Sequence, residues 1–302
     1  MKILILGSCG FIGSHLVDYY VNKNHAVVGC DLMEHAADQY QYRKLSVLSS
    51  DFDALLLQHQ FDCCINASGS GNVSFSLNQP LSDFESNALV VAKVLETIKR
   101  TQPSCKFIQI SSAAVYGNPD KLPVSETDAI HPLSPYGYHK WMSEIICKEY
   151  SDLFNLNIAV LRPFSVYGNG LKKQLFWDIC QKLKKNSAVS LSGTGSETRD
   201  FIHISDLAAL TDEIISKGEF CGEVYNAATG VQTSIQQIAS LFAEIFPEAE
   251  EISFTGNSRA GDPLNWQADI SKITRLGYTA KTSLSEGVKD YINWYLKHMH
   301  EG

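Results

Sequence analysis

The sequence predicts an α/β fold, a doubly wound parallel sheet with a smaller C-terminal α/β lobe, and three observations predict it. Over roughly the first 160 residues, short β-rich apolar runs alternate with helix-like segments, the sign of a parallel sheet covered on both faces. A glycine-rich turn follows the first of those runs and opens a helical pattern. The chain has 302 residues, more than one domain usually holds, so a second lobe is expected and the core is ample without disulfides or structural metal.

In order, the strand candidates are KILILG (2–7), AVVGCD (26–31), KLSVL (44–48), DCCINA (62–67), KFIQIS (106–111) and NIAVLR (157–162). Between them, FIGSHLVDYY (11–20), PLSDFESNALVVAKVLETIKR (80–100) and SPYGYHKWMSEIICKEY (134–150) read as helices, the second with apolar residues at three- and four-residue spacing. After Arg162 the rhythm loosens, and turn-rich segments (VYGNG, SGTGSETRD, FTGNSRAGDP) separate short helices such as SIQQIASLFAEIF. The division is therefore 1–165 for a dinucleotide-binding domain and 166–302 for a substrate lobe. The boundary is soft, because later segments of a doubly wound chain can return to the sheet.

Composition excludes several classes. With 44% hydrophobic and 19% charged residues the chain reads as globular, and no run approaches the roughly 18 apolar residues of a membrane span. A net charge of −8 argues against wide contact with nucleic acid. The basic stretch Lys182, Lys184 and Lys185 reads as a solvated helix face. Cysteines at 9, 30, 63, 64, 105, 147, 180 and 221 form no C-x-x-C pair and no cluster with histidine, so no metal site is expected and they read as reduced, mostly buried thiols. The N-terminal apolar run passes directly into the glycine pattern instead of a cleavage signal, and a cytoplasmic location is expected.

Gly7, Gly10 and Gly13 form G-x-x-G-x-x-G between a strand and a helix, the setting of a Rossmann-type loop. Glycines let the backbone approach a pyrophosphate, and the helix N-terminus offers unpaired N–H groups and a favourable dipole. Asp31 closes the second strand, where a carboxylate can accept from an adenosine ribose and repel a 2′-phosphate. No Arg or Lys follows it before Arg43, so the cofactor expected is NAD.

Tyr136 and Lys140 form Y-x-x-x-K, one helical turn apart on one face. Tyr19/Lys23 and Tyr40/Lys44 match too, but only Tyr136 begins a helix downstream of a serine-rich strand end, KFIQISSAAVYG. A tyrosine is a poor base at neutral pH, and lowering its pKa by about three units takes roughly 4 kcal/mol. Lys140 and a positive nicotinamide could supply it, so that Tyr136 takes a proton from a sugar hydroxyl as hydride leaves. Ser112 would hold the same oxygen, with Ser111 its rival.

These motifs, GSCGFIGSHL, ISSAAVYGNP, SPYGYHK, LRPFSVYGNG and RDFIHISDLA, resemble the NAD-dependent epimerase/dehydratase family of extended short-chain dehydrogenases/reductases from residue 1 to about 275. The resemblance implies catalytic Ser112, Tyr136 and Lys140. It implies cofactor contacts from Phe11, Ile12, Ala67, Ser68, Asn87 and Pro163 beside the glycines, Asp31, Tyr136 and Lys140. It assigns a nucleotide-sugar substrate to Ser112, Ser165, Arg199 and Arg259, and implies a homodimer formed through the helices around 85–100 and 136–154. Three departures stand out. Ser165 replaces a common Asn, Ser46-Val47-Leu48 replaces a Gly-Asp-aliphatic turn that usually meets adenine, and Ala113-Ala114 replaces the acidic residue that dehydratases place after the catalytic Ser/Thr.

The activity expected is a nucleotide-sugar 4-epimerase. The alternatives are an NAD(P)H-dependent 4-keto-6-deoxysugar reductase and, from another class, a silent dinucleotide sensor, against which the retention of Ser112, Tyr136 and Lys140 together argues.

Overall fold

The computed structural model describes residues 1–35, 38–45, 51–247, 249–257 and 263–298. The chain begins β1 (Lys2–Leu6), α1 (Phe11–Asn22), β2 (Ala26–Asp31), β3 (Gln41–Lys44), α2 (Asp51–Gln58), β4 (Cys63–Asn66), α3 (Val73–Asn78) and α4 (Pro80–Phe84). A π-helical turn (Glu85–Leu89) joins α4 to α5 (Val90–Thr101), and β5 (Lys106–Ile110), α6 (Pro135–Phe154), β6 (Ile158–Pro163) and β7 (Ser165–Tyr167) follow. Then come α7 (Gln174–Leu183), β8 (Ala188–Leu191), β9 (Thr198–His203), α8 (Ile204–Lys217), β10 (Cys221–Ala227) and β11 (Gln232–Ser234). The last elements are α9 (Ile235–Ile245), β12 (Glu251–Phe254), α10 (Ser271–Arg275) and α11 (Leu284–His298).

Seven parallel strands form the main sheet in the order β10-β6-β5-β4-β1-β2-β3. Its central strands are continuous apolar runs because both faces are covered. On one face, Leu16, Val17 and Tyr20 of α1 meet Leu207, Leu210 and Ile214 of α8. On the other, Leu55 and Leu56 of α2 join Val91, Val94, Leu95 and Ile98 of α5 and Cys147 of α6. Strand order reverses between β4 and β1, which opens a crevice at their carboxyl ends where ligands bind in such sheets.

The lobe beyond β6 has its own core, in which Phe176, Ile179, Phe242, Tyr291 and Tyr295 are buried together. Its turn-rich segments hold short strands that the sequence pattern does not reveal: β9 lies between β7 and β11, and β8 pairs with β12. Apart from the six-residue β9, these strands are three or four residues long, which gives period-2 alternation too little length to register. The chain then returns, with α8 packed on α1 and β10 extending the main sheet beside β6.

Other expectations shift. The third strand is Gln41–Lys44, ahead of the expected 44–48, most of which lies outside the described residues. A polar edge strand such as QYRK carries no apolar signal. The expected helix over 80–100 is interrupted by the π turn. Lys182 is held by Asp178 and by the carbonyl of Ser190, while Lys184 and Lys185 of the basic stretch are exposed. All eight cysteines are thiols, six of them buried, and burial pushes Cys30 and Cys105 up to about 12. Among the described residues no helix is long and apolar enough to cross a membrane.

Candidate active site

The turn after β1 is built so that only glycine fits. Gly7 has φ +78°, and a Cβ there would stand 2.7 Å from the backbone of Ala67 and Ser68. A Cβ at Gly13 would stand 2.0 Å from the carbonyl oxygen of Gly7, so the first turn of α1 lies directly on the loop. Gly10 caps α1 without a side chain, which leaves the first N–H groups of the helix for a ligand. Gly10, Phe11 and Ile12 line one end of a cavity of about 630 Å³, and Ala67, Ser68 and Gly69 after β4 line the same end. This cradle, closed to side chains and supplied with free amides, fits a dinucleotide pyrophosphate.

Asp31 stands at the end of β2, outside that cavity, and accepts from the amides of Cys9 (2.9 Å) and Leu32 (2.7 Å). It thereby ties the glycine loop to the second strand. Lys44 lies opposite Asp31 in the parallel register, a neighbour the sequence spacing hides, and is engaged by Glu34. Asn87, on the π turn, is buried and also outside the cavity lining; its amide donates to the carbonyl of Ser70 (3.2 Å) and fixes the loop after β4. Ser46-Val47-Leu48 and Arg259 lie outside the described residues.

Ser112, Tyr136 and Lys140 line the same cavity. Helix α6 starts where it does because Ser134 accepts from the Gly137 amide (3.2 Å) and Pro135 occupies the first turn. Gly137 lets the helix approach the turn after β5, since a Cβ there would lie 2.8 Å from the Ala114 carbonyl oxygen. That approach brings Tyr136 into hydrogen-bonding reach of Ser112. The Ser112 hydroxyl also accepts from the Ala114 amide (3.1 Å), which fixes its rotamer.

Lys140, buried, donates to the carbonyl of Ile110 (3.0 Å), with its ammonium 6.0 Å from the Tyr136 ring centre. Burial lowers its pKa to about 8, against the charges of Asp83 and Glu144 and in concert with Lys173. Burial raises the pKa of Tyr136 above the ordinary phenol value; the Ser112 hydrogen bond lowers it and the charge of Asp83 raises it further. Against the expectation that Lys140 helps to lower it, the chain's own groups hold Tyr136 as the neutral phenol at neutral pH.

Ser111 faces a different network. It donates to Glu144, and Glu144 accepts from Arg162 Nη2 (2.6 Å) and Nε (3.0 Å), all of it buried. Arg162 also donates to Tyr116 (2.7 Å), which donates to Asn226 (2.7 Å). This frame locks the ends of β5, β6 and β10 beneath the site. The other Y-x-x-x-K matches are remote: Lys23 donates to Tyr19 at the surface and pairs with Asp212, and Lys44 stands on β3.

The far wall comes from the second lobe. Pro163 and Ser165 line the cavity where β6 passes into β7. The Arg199 guanidinium lies 5.6 Å over the Trp266 ring and donates to the carbonyls of Thr198 (2.8 Å) and Leu264 (3.3 Å). Sequence reasoning passed over Lys173, which also lines the cavity, and the buried pair Asp83–His139. The pair Lys172-Lys173, one residue beyond VYGNG, is a usable signal for the first; the second joins residues 56 apart, a separation without sequence signature.

A model of the NAD dependent epimerase/dehydratase family matches residues 3–228. A putative UDP-glucose 4-epimerase of Methanocaldococcus jannaschii is 29% identical, with 97% of each chain covered. Among solved structures, the UDP-glucuronic acid 4-epimerase of Bacillus cereus, in complex with UDP-glucuronic acid and NAD, is 30% identical at a TM-score of 0.90, covering 99% of this chain and all of that one. The UDP-glucose 4-epimerase of Thermotoga maritima with UDP-glucose is 26% identical at a TM-score of 0.91, over 99% of this chain and all of that one.

Proposed function

The chain belongs to the NAD-dependent epimerase/dehydratase family, and from that premise we propose that it is an NAD-dependent nucleotide-sugar 4-epimerase. The observation that carries the reading is the convergence of Ser112, Tyr136 and Lys140 on one cavity between the glycine-loop helix and the Arg199 wall.

The glycine loop and the first amides of α1 hold the NAD pyrophosphate, Asp31 orders the loop and meets the adenosine ribose, and Phe11, Ile12, Ala67, Ser68 and Pro163 bound the remaining cofactor surface. Asn87 acts through the loop after β4. NAD, when bound, would supply the hydride-exchanging group and a positive ring. Tyr136 accepts the proton of the sugar C4 hydroxyl and returns it to the same oxygen after the 4-keto sugar has turned over in the site, so that C4 presents its opposite face to the returning hydride, and Ser112 hydrogen-bonds that oxygen. Because burial and Asp83 raise the Tyr136 pKa, ionisation of the phenol depends on positive charge in the loaded site. Lys140 steadies the phenolate from behind. Arg199, fixed on Trp266, presents its guanidinium to the substrate diphosphate, and Arg259 is assigned to the same group. Ser165 lies on the path to the sugar. With Ala113 and Ala114 after Ser112, the acid that elimination of water requires is missing there.

The functional unit is a homodimer joined through α5 and α6. Tyr138, Met142 and Ile145, at i, i+4 and i+7 of α6, are exposed together on one face, the stripe by which paired helices bury a partner.

The test is to incubate the purified protein with UDP-, dTDP-, GDP- and CDP-hexoses without added cofactor and follow C4 inversion by proton NMR. Interconversion is the expected result. No product across the panel, with NADH or NADPH consumed on a 4-keto sugar, would replace the reading with the reductase.

A further inference from the structure

Among the described residues lining the cavity, five are charged: Lys140, Lys173, Asp178, Glu197 and Arg199. Neither carboxylate is at the disposal of a cation in the cavity. Glu197 accepts from the amides of Thr194 (2.9 Å) and Gly195 (2.9 Å), and Asp178 pairs with Lys182 (3.3 Å). The proposed reading uses Lys140 behind the base and Arg199 at the diphosphate, which leaves Lys173.

Lys173 stands just before α7, in the second lobe, but its ammonium reaches across the cleft. A Cβ at Gly71, in the loop after β4, would lie 3.4 Å from its Nζ, in van der Waals contact, so the ammonium rests against that loop. No described carboxylate pairs with it, and its charge acts on Lys140. Two ammonium groups thus line one cavity, while Asp83 and Glu144, whose charges support Lys140, lie outside its lining; a ligand that brings a negative charge into this partly desolvated cleft finds a cation there without a carboxylate partner. A neutral hydroxyl supplies no such charge. An acid group on the sugar would also oppose ionisation of a nearby Tyr136, and a cation at 173 offsets that effect.

Resting on the epimerase reading, we infer that Lys173 is a specificity-determining residue that binds an acid group on the sugar ring, so that the substrate is a nucleotide-linked hexuronate in preference to a neutral hexose. The diphosphate and the sugar acid are then read by separate cations, Arg199 and Lys173.

The experiment measures, by calorimetry on the NAD-loaded protein, the dissociation constants of UDP-glucuronate and UDP-glucose for the wild type, Lys173→Met and Lys173→Arg. Because both ligands carry the same base and diphosphate, their ratio isolates the sugar. The expected result is at least tenfold tighter binding of the glucuronate by the wild type, a ratio falling towards one in Lys173→Met and retained in Lys173→Arg. Equal binding of the two sugars by the wild type, or a ratio unmoved in Lys173→Met, would overturn the inference. Proton NMR of the same samples judges the underlying activity separately: a tenfold preference without C4 inversion would sink the epimerase reading and leave the role of Lys173 standing.

Discussion

His139 Nδ1 lies 2.7 Å from Asp83 Oδ2, a buried contact that joins the helix carrying Tyr136 and Lys140 to the end of α4, just before the π turn. The charge of Asp83 raises the pKa of Lys140, which burial has lowered to about 8, so Lys140 keeps its proton below that pH and loses it above. With an ammonium required behind the base, kcat/KM should fall on an alkaline limb near pH 8. Asp83→Asn removes the supporting charge and should move that limb to lower pH in a pH-rate profile. A purely structural role for Asp83 would instead scale the rate at every pH and leave the limb in place.

Tyr136→Phe removes the proton acceptor and keeps the ring. Turnover should drop by at least roughly 10²–10⁴-fold, the usual contribution of a positioned acid/base group. NAD should still co-purify, measured by its release on denaturation. Unchanged turnover would dismiss the mechanism.

Glu144→Gln leaves the Arg162 guanidinium buried without its counter-charge. Removing one partner of a buried pair costs about 3–5 kcal/mol, and urea unfolding should register a loss of that order. Glu244, exposed on α9 and away from the proposed interface, serves as the control: Glu244→Gln should change stability by less than about 0.5 kcal/mol.

Gly13→Ala puts a methyl group 2.0 Å from the Gly7 carbonyl oxygen, where backbone and not a side chain must give way. Cofactor retention should be lost. Gly10→Ala, whose Cβ would meet the same oxygen at 3.2 Å, should retain more.

Ile145→Glu sets a charge in the exposed apolar stripe of α6. Light scattering should report a homodimer for the wild type and a monomer for the variant, with the secondary structure unchanged by circular dichroism.

The fold was legible where sequence period and burial coincide. KILIL, CCIN and IAVLR are buried in the central strands, and the glycine turn could stand only between a strand and a helix. Illegible were QYRK, a polar edge strand, and the short strands of the second lobe, whose order depends on pairing partners far along the chain. At the site, the motif residues Ser112, Tyr136 and Lys140 could be read from local spacing, because one helix and one strand end carry them. Ser111 and Ser112 could not be told apart, since what separates them is Glu144, 33 residues from Ser111 and fixed by Arg162. Asp83 and His139 were invisible for the same reason: neither has a local pattern, and each acquires its environment only when α4 packs on α6.

The return of α8 and β10 to the main sheet bears on how the two lobes could be exchanged between relatives. A single recombination junction after β6 would import a foreign edge strand and a foreign cover for α1 together with the new sugar-binding wall, and both would have to repack against the resident Ala159, Leu161, Leu16 and Tyr20. Grafting a new specificity while keeping the cofactor half intact needs junctions on both sides of α8 and β10, because Phe242, Tyr291 and Tyr295, which share a core with Phe176, follow them in the chain. Changes of sugar preference along such a lineage are therefore expected to arise by point substitution at cleft positions such as 165 and 173, and not by the shuffling of whole modules.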